Sequence, residues 1–230
     1  MDEVDLRSKS TSSMRPSLWI KIRDGDRGVP RGAYPRAKGR LLDMVMVPEK
    51  VMQRRLTLQD YQMLPDDQDY EIIDGVLYVA PRPRSGHQAA ANELATMLTV
   101  HTKERGLGRV LPDADLIVTD RDIYVSPDIM FFAGDRFAEV DRDDWIRIIP
   151  DLIVEVLSPS TEDYDRRTKR QIYGQIGVPH YWIADPRTRS LLECVRQPDG
   201  SYQERAWTSN EAFRPSLFPD LVIDLNQVFR

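Results

Sequence analysis

Glu155 is the single charged residue inside Leu152-Ile153-Val154-Glu155-Val156-Leu157, an apolar run bounded by Pro150 and Pro159. The length and β-branched content of the run predict a strand buried on both faces. An ionised carboxylate buried without a partner is costly, so the position requires a cation, a hydrogen-bond cluster or a raised pKa. The segment that follows reads as a helix. Ser160 or Thr161 can cap its first turn, and Glu162 and Asp163 suit the positive end of the helix dipole. At about 100° per residue, Ile172, Tyr173 and Ile176 share one arc, while Arg166, Arg167, Arg170 and Gln171 point away from it. Lys169 falls in the middle of the apolar arc, and Asp165 joins it one turn earlier. A lysine aimed at a sheet that already holds a glutamate is not there for solubility.

An ordinary buried ion pair accounts for Glu155 and Lys169 taken alone. A third charged residue changes the balance. Ile123 to Phe132 is a second strand-like run with one carboxylate, Asp128, at its centre. Two buried strands each carrying an acid, with a lysine from the next helix, compose a candidate divalent-metal site.

The blocks SPDIMFF, PDLIVEVLSPST, Asp165-x-x-x-Lys169-x-x-x-Tyr173 and GVPHYWIADP, with YEIIDGVLYVAPRPRSGH upstream, resemble the Uma-two family of restriction-endonuclease-like proteins. That family lies within the PD-(D/E)XK nuclease superfamily, and the resemblance covers about residues 50 to 225. One departure matters. The superfamily pattern has a lysine two residues after the glutamate, where this chain has Leu157. In the family that lysine is thought to have moved to the next helix, and Lys169 is placed to replace it.

The resemblance implies an α/β fold of the restriction-endonuclease type: a mixed central sheet flanked by helices, with extra hairpins at the edges. It implies metal-assisted hydrolysis of DNA phosphodiesters, with Asp128, Glu155 and Lys169 catalytic. Asp128, Glu155 and the carbonyl of Val156 would hold Mg²⁺, with Mn²⁺ as a substitute, because hard cations prefer oxygen ligands. Glu71 becomes a candidate fourth acid, its other reading being an exposed strand residue. Asp165 would orient Lys169, and Tyr173 would either hydrogen-bond nearby or serve only packing. DNA is the expected partner and a homodimer the expected assembly. The competing hypothesis is a catalytically inactive dimeric binding or structural module of the same fold, whose buried charges satisfy one another without metal.

The elements around these residues follow from pattern. Residues 1–48, rich in Ser, Pro, Gly and Arg, read as a flexible N-terminal extension, and 49–230 as the nuclease-like domain. Thr57 is the predicted N-cap of a short helix, and Asp74-Gly75 the turn of a hairpin between Tyr70-Ile73 and Val76-Val79. Ser85 to Arg105 has helical spacing and ends at glycines 106 and 108. His87 sits in its first turn, where it could contact phosphate or the scissile region, but a lone histidine at a helix start is usually incidental and it is left out of the catalytic set. Further strands are expected at Arg109-Leu111, Leu116-Val118, His180-Ala184, Leu191-Val195, Tyr202-Trp207 and Leu221-Leu225, with Trp182 in the core.

A formal charge of -5 lacks the basic footprint of a dedicated nucleic-acid binder. It leaves room for a nuclease, because a metal can bridge carboxylates to phosphate. The single Cys194 cannot form an internal disulfide. Without an apolar run long enough to span a bilayer, or a signal-peptide pattern at the N-terminus, the chain is expected to be soluble and cytoplasmic.

Overall fold

The computed structural model describes residues 55–64, 69–80, 84–140, 144–158 and 164–230. The expected N-terminal extension, its boundary with the domain, and the expected caps Ser160 and Thr161 lie outside these residues.

Helix α1 (Leu58–Gln62) begins at Thr57, whose N–H and Oγ both donate to the Asp60 carboxylate at 2.8 and 2.9 Å. Strands β1 (Asp69–Ile73) and β2 (Val76–Ala80) form the expected hairpin. Asp74 and Gly75 both adopt positive φ, 51° and 73°, as a tight turn between twisted strands demands. Helix α2 (Ser85–Arg105) ends at Gly106 in the left-handed conformation. Strands β3 (Gly108–Pro112), β4 (Leu116–Val118), β5 (Ile123–Val125), β6 (Ile129–Ala133) and β7 (Leu152–Val156) follow. A turn of π-helix (Tyr164–Lys169) runs directly into α3 (Arg170–Ile176). The chain closes with β8 (His180–Asp185), β9 (Ser190–Arg196), β10 (Tyr202–Thr208), β11 (Ala212–Phe213), β12 (Ile223–Asp224) and α4 (Leu225–Val228).

The central sheet has six strands in the order β10-β9-β8-β7-β6-β3. Only the β7–β8 step is parallel, and the π-turn with α3 makes that crossover. A second sheet, β2-β1-β5-β4, takes in the first hairpin, and β11 pairs with β12. The run Ile123 to Phe132 is therefore not one strand. The chain leaves the four-stranded sheet after Val125 and enters the six-stranded sheet at Ile129. Pro127, with no N–H to give a ladder, lies in the crossing, and Asp128 stands at the crossing rather than mid-strand.

Side-chain alternation in β7 separates two apolar layers. Leu152, Val154 and Val156 pack with Ile129, Phe131, Trp182 and the α2 residues Ala90, Leu94 and Leu98. Ile153 packs on the opposite side with Met130, Phe132, Tyr181 and the α3 residues Ile172 and Tyr173. Glu155, odd-numbered like Ile153, falls on the α3 side. Each fully buried side chain of this size contributes about 1.5–3 kcal/mol, so the two layers fix α2 and α3 firmly against the sheet. Among the described residues, no helix is long and apolar enough to cross a membrane.

Candidate active site

The β6–β7 register pairs Ile129 with Val154, so one step further along the ladder Asp128 comes alongside Glu155. The Val156 N–H donates to Asp128 Oδ2 at 2.6 Å, closing the gap between the two strands. Lys169, at the junction of the π-turn and α3, lies three and four residues before Ile172 and Tyr173 and shares their inward face. Its Nζ is 2.9 Å from Glu155 Oε1, 3.0 Å from Glu71 Oε1 and 3.5 Å from Asp165 Oδ1. The Tyr164 ring closes another side, its centroid 5.4 Å from Nζ.

Glu71 reaches this point from the other sheet. The Ser126 N–H donates to Glu71 Oε1 at 3.2 Å, and the Ser126 hydroxyl donates to Asp115 Oδ1 at 2.6 Å. Tyr173 donates its O–H to Glu155 Oε1 at 2.7 Å, and Tyr181 donates to the main-chain carbonyl of Asp165 at 3.1 Å. Of the two readings open for Glu71, the exposed strand residue is excluded: it is 5% exposed. Leu157, where the superfamily pattern has its lysine, is buried in the α3-side apolar layer, and the amine of the cluster comes from Lys169.

Burial drives the Glu155 carboxyl well above the usual carboxylate range; Lys169 opposes the rise and the charge of Asp128 adds to it. Burial alone would depress Lys169, but Glu155, Glu71 and Asp165 outweigh it and hold the ammonium well above its ordinary value. Burial and then Glu155 raise Tyr173, which stays a neutral O–H donor. Lys169 is thus charged at any physiological pH.

The cluster holds more acid than base. Glu71, Glu155 and Asp165 surround one lysine, and Asp128 stands beside them. A buried surplus of carboxylate either retains protons or takes up a cation. Among the described residues, no three His, Cys, Asp or Glu side chains form a ready-made metal cage. The oxygens left over still suit a hard ion. Asp128 Oδ2 and Glu155 Oε1 take all the hydrogen bonds these carboxylates receive from described residues, which leaves Oδ1 and Oε2 to ligate a cation. Mg²⁺ needs no more than one or two protein carboxylates, with water and phosphate oxygens completing its shell.

Five of the residues expected from the sequence, Glu71, Glu155, Asp165, Lys169 and Tyr173, meet in one buried cluster. Asp128 joins it through Val156, and at 20% side-chain exposure is its most accessible acid. One residue left out of the catalytic set lies beside it: His87 Nε2 is 3.1 Å from Asp128 Oδ2. Burial pulls its imidazole pKa down, but the hydrogen bond and charge of Asp128 outweigh this and raise it. The signal was periodicity, since residues 87, 90, 94, 98 and 101 form one stripe of α2 and the last four are buried.

A search of curated proteins finds no match. Among solved structures, the chain is similar to the crystal structure of a "putative nuclease belonging to DUF820" from Anabaena variabilis ATCC 29413. The TM-score is 0.63 at 20% identity, covering 76% of this chain and 97% of the other. That likeness carries the fold, which is restriction-endonuclease-like. The sequence model of the Uma2 family, described as "Putative restriction endonuclease", matches residues 58–226, a span that includes every residue of the cluster. With most of its length inside that match, the chain belongs to the Uma2 family.

Proposed function

We propose that the protein is a metal-dependent endonuclease that hydrolyses phosphodiester bonds of DNA. The observation that carries this reading is the buried surplus of carboxylate around Lys169, with Asp128 and Glu155 each keeping one oxygen clear of hydrogen bonds from the described residues. Membership of a family described as "Putative restriction endonuclease" supports the same reading.

Asp128, Glu155 and the Val156 carbonyl are the groups that would hold Mg²⁺ or Mn²⁺. A bound divalent ion supplies a Lewis acid that polarises a phosphoryl oxygen and lowers the pKa of its water. Lys169, kept charged by its three carboxylates, offsets negative charge as it builds on the phosphate or orients the attacking water. Glu71 and Asp165 hold its Nζ in place, and Tyr173 ties down Glu155 Oε1 so that the carboxylate cannot rotate. With a net charge of -5, DNA must be held by local cationic groups rather than by the field of the whole molecule.

The test pairs calorimetric titration of cation-free protein with Mn²⁺ and cleavage of supercoiled plasmid. Cation uptake and cation-dependent cleavage are expected, with Glu155→Gln lowering the rate by about 10²-fold or more. Lys169→Ala should also abolish cleavage, but it strands buried carboxylates at about 3–5 kcal/mol, so the shape-preserving glutamine is decisive. Equal cleavage by wild type and both variants would trace the activity to a contaminant and end the proposal. Cation uptake without DNA cleavage would redirect it to another phosphorylated substrate.

The competing reading, an inactive dimeric module, draws on a specific observation: Lys169 is already engaged by three carboxylates. It predicts a dimer by light scattering, with neither cation uptake nor cleavage.

A further inference from the structure

His87 closes the block YEIIDGVLYVAPRPRSGH, and the family resemblance gives it no role in the site, yet its ring is built into the site. It occupies the first turn of α2, which the apolar stripe of that helix turns toward the sheet, and its side chain is 10% exposed. Its Nε2 reaches Asp128 Oδ2 at 3.1 Å, and its Nδ1 is buried with no hydrogen-bond partner among the described residues. Asp128 is thus the ring's one polar anchor there, and the contact is not a by-product of some other restraint on the imidazole. The anchor also fixes the tautomer, because a carboxylate oxygen requires the proton on Nε2.

The Val156 N–H points at the same oxygen, 2.6 Å away. Two donors from two elements, α2 and β7, therefore load one carboxylate oxygen, and its twin accepts from none of the described residues. An Asp whose Oδ2 is pinned from both sides cannot spin about its terminal bond, and Oδ1 is presented in a fixed direction. We propose that His87 is a positioning residue: through Nε2–H it holds Asp128 so that Oδ1 faces the divalent cation. This inference rests on the metal-dependent reading given above and adds to it a residue that touches neither metal nor substrate. Outer-shell partners of metal ligands of this kind are commonly worth 10–100-fold in metal affinity.

The experiment is Mn²⁺ titration by calorimetry on cation-free wild type, His87→Ala, His87→Gln and His87→Asn, with thermal melting of each in chelator. Glutamine places an amide N–H near the position of Nε2, whereas asparagine places one near Nδ1. His87→Ala is expected to weaken Mn²⁺ binding by about 10–100-fold. His87→Gln should recover most of the loss and His87→Asn should not, an order that cation-free melting temperatures do not follow. Wild-type affinity in His87→Ala would overturn the inference while leaving the metal-dependent reading intact. Loss of affinity without recovery in His87→Gln, tracking equal losses of melting temperature, would assign His87 to the fold and also overturn it. Failure of wild type to take up Mn²⁺ would remove the metal-dependent reading, and the role of His87 with it.

Discussion

Glu155 accepts from Lys169 and Tyr173 through one oxygen while burial works against its charge. Its folded pKa is raised above that of the unfolded chain, so it contributes most to stability below the ordinary glutamate range, near pH 4. That contribution is lost as pH rises through the raised folded value. Glu155→Gln keeps the shape and an acceptor for the Tyr173 hydroxyl but has no charge to bury. In cation-free buffer its melting temperature, relative to wild type, should climb by several degrees between about pH 4 and pH 8. A difference that stays flat across that range would show that Glu155 titrates normally. At this scale the sequence was informative wherever burial contradicted residue type. Glu155 inside a β-branched run and Lys169 inside an apolar arc were legible as conflicts. Glu71 was not, because a five-residue hairpin strand carries no mark of which face a second sheet will cover. His87 was set aside as an isolated residue when its place on the buried stripe of α2 was the real signal.

Among the elements, α3 depends on a close approach that only glycine permits. A Cβ built on Gly174 would lie 2.7 Å from the main-chain carbonyl oxygen of Gly200, in the turn between β9 and β10. The Gly174 carbonyl also accepts from Arg196 Nε at 2.7 Å, so the helix is tied to that hairpin at the same spot. Helix propensity favours alanine over glycine by about 1 kcal/mol, but a clash against main chain costs about 1–3 kcal/mol and cannot be relieved by a rotamer change. Gly174→Ala is therefore expected to be net destabilising in a urea melt; a stabilised variant would mean that the hairpin yields. Two features of this level were hidden in the sequence. The π-turn ahead of α3 leaves no trace in a 100° pattern, and Lys169 was found because it is the last residue of that turn, directly before the regular helix. The crossing at Ser126-Pro127-Asp128 was masked by apolar residues on both sides, although Pro127 was its chemical marker.

Over the whole molecule, the sheet order brings β7 between β6 and β8, so the most buried strand carries the central acid. The flanking helices α2 and α3 followed from periodicity, whereas the α/β class was implied by the family resemblance. The division into two sheets did not, because pairing partners such as Ile72 and Tyr124 are far apart in the chain and short strands specify register weakly. Cys194 gives a probe of this architecture. It is fully buried in β9, and burial pushes its thiol up to about 12. At pH 8 it should react with an aromatic disulfide at least about 10³-fold more slowly than in the unfolded chain, through opening of the central sheet. Prompt modification of the native protein would reveal that the β8–β9–β10 edge opens by itself.

Glu71 belongs to the small sheet and Glu155 to the large one, and both close on the ammonium of Lys169. The same three groups thus act as a rivet through the seam between the two halves. Sliding one sheet along the other would pull a charged amine out of a carboxylate in a dry interior, so the reactive centre and the mechanical joint give way together.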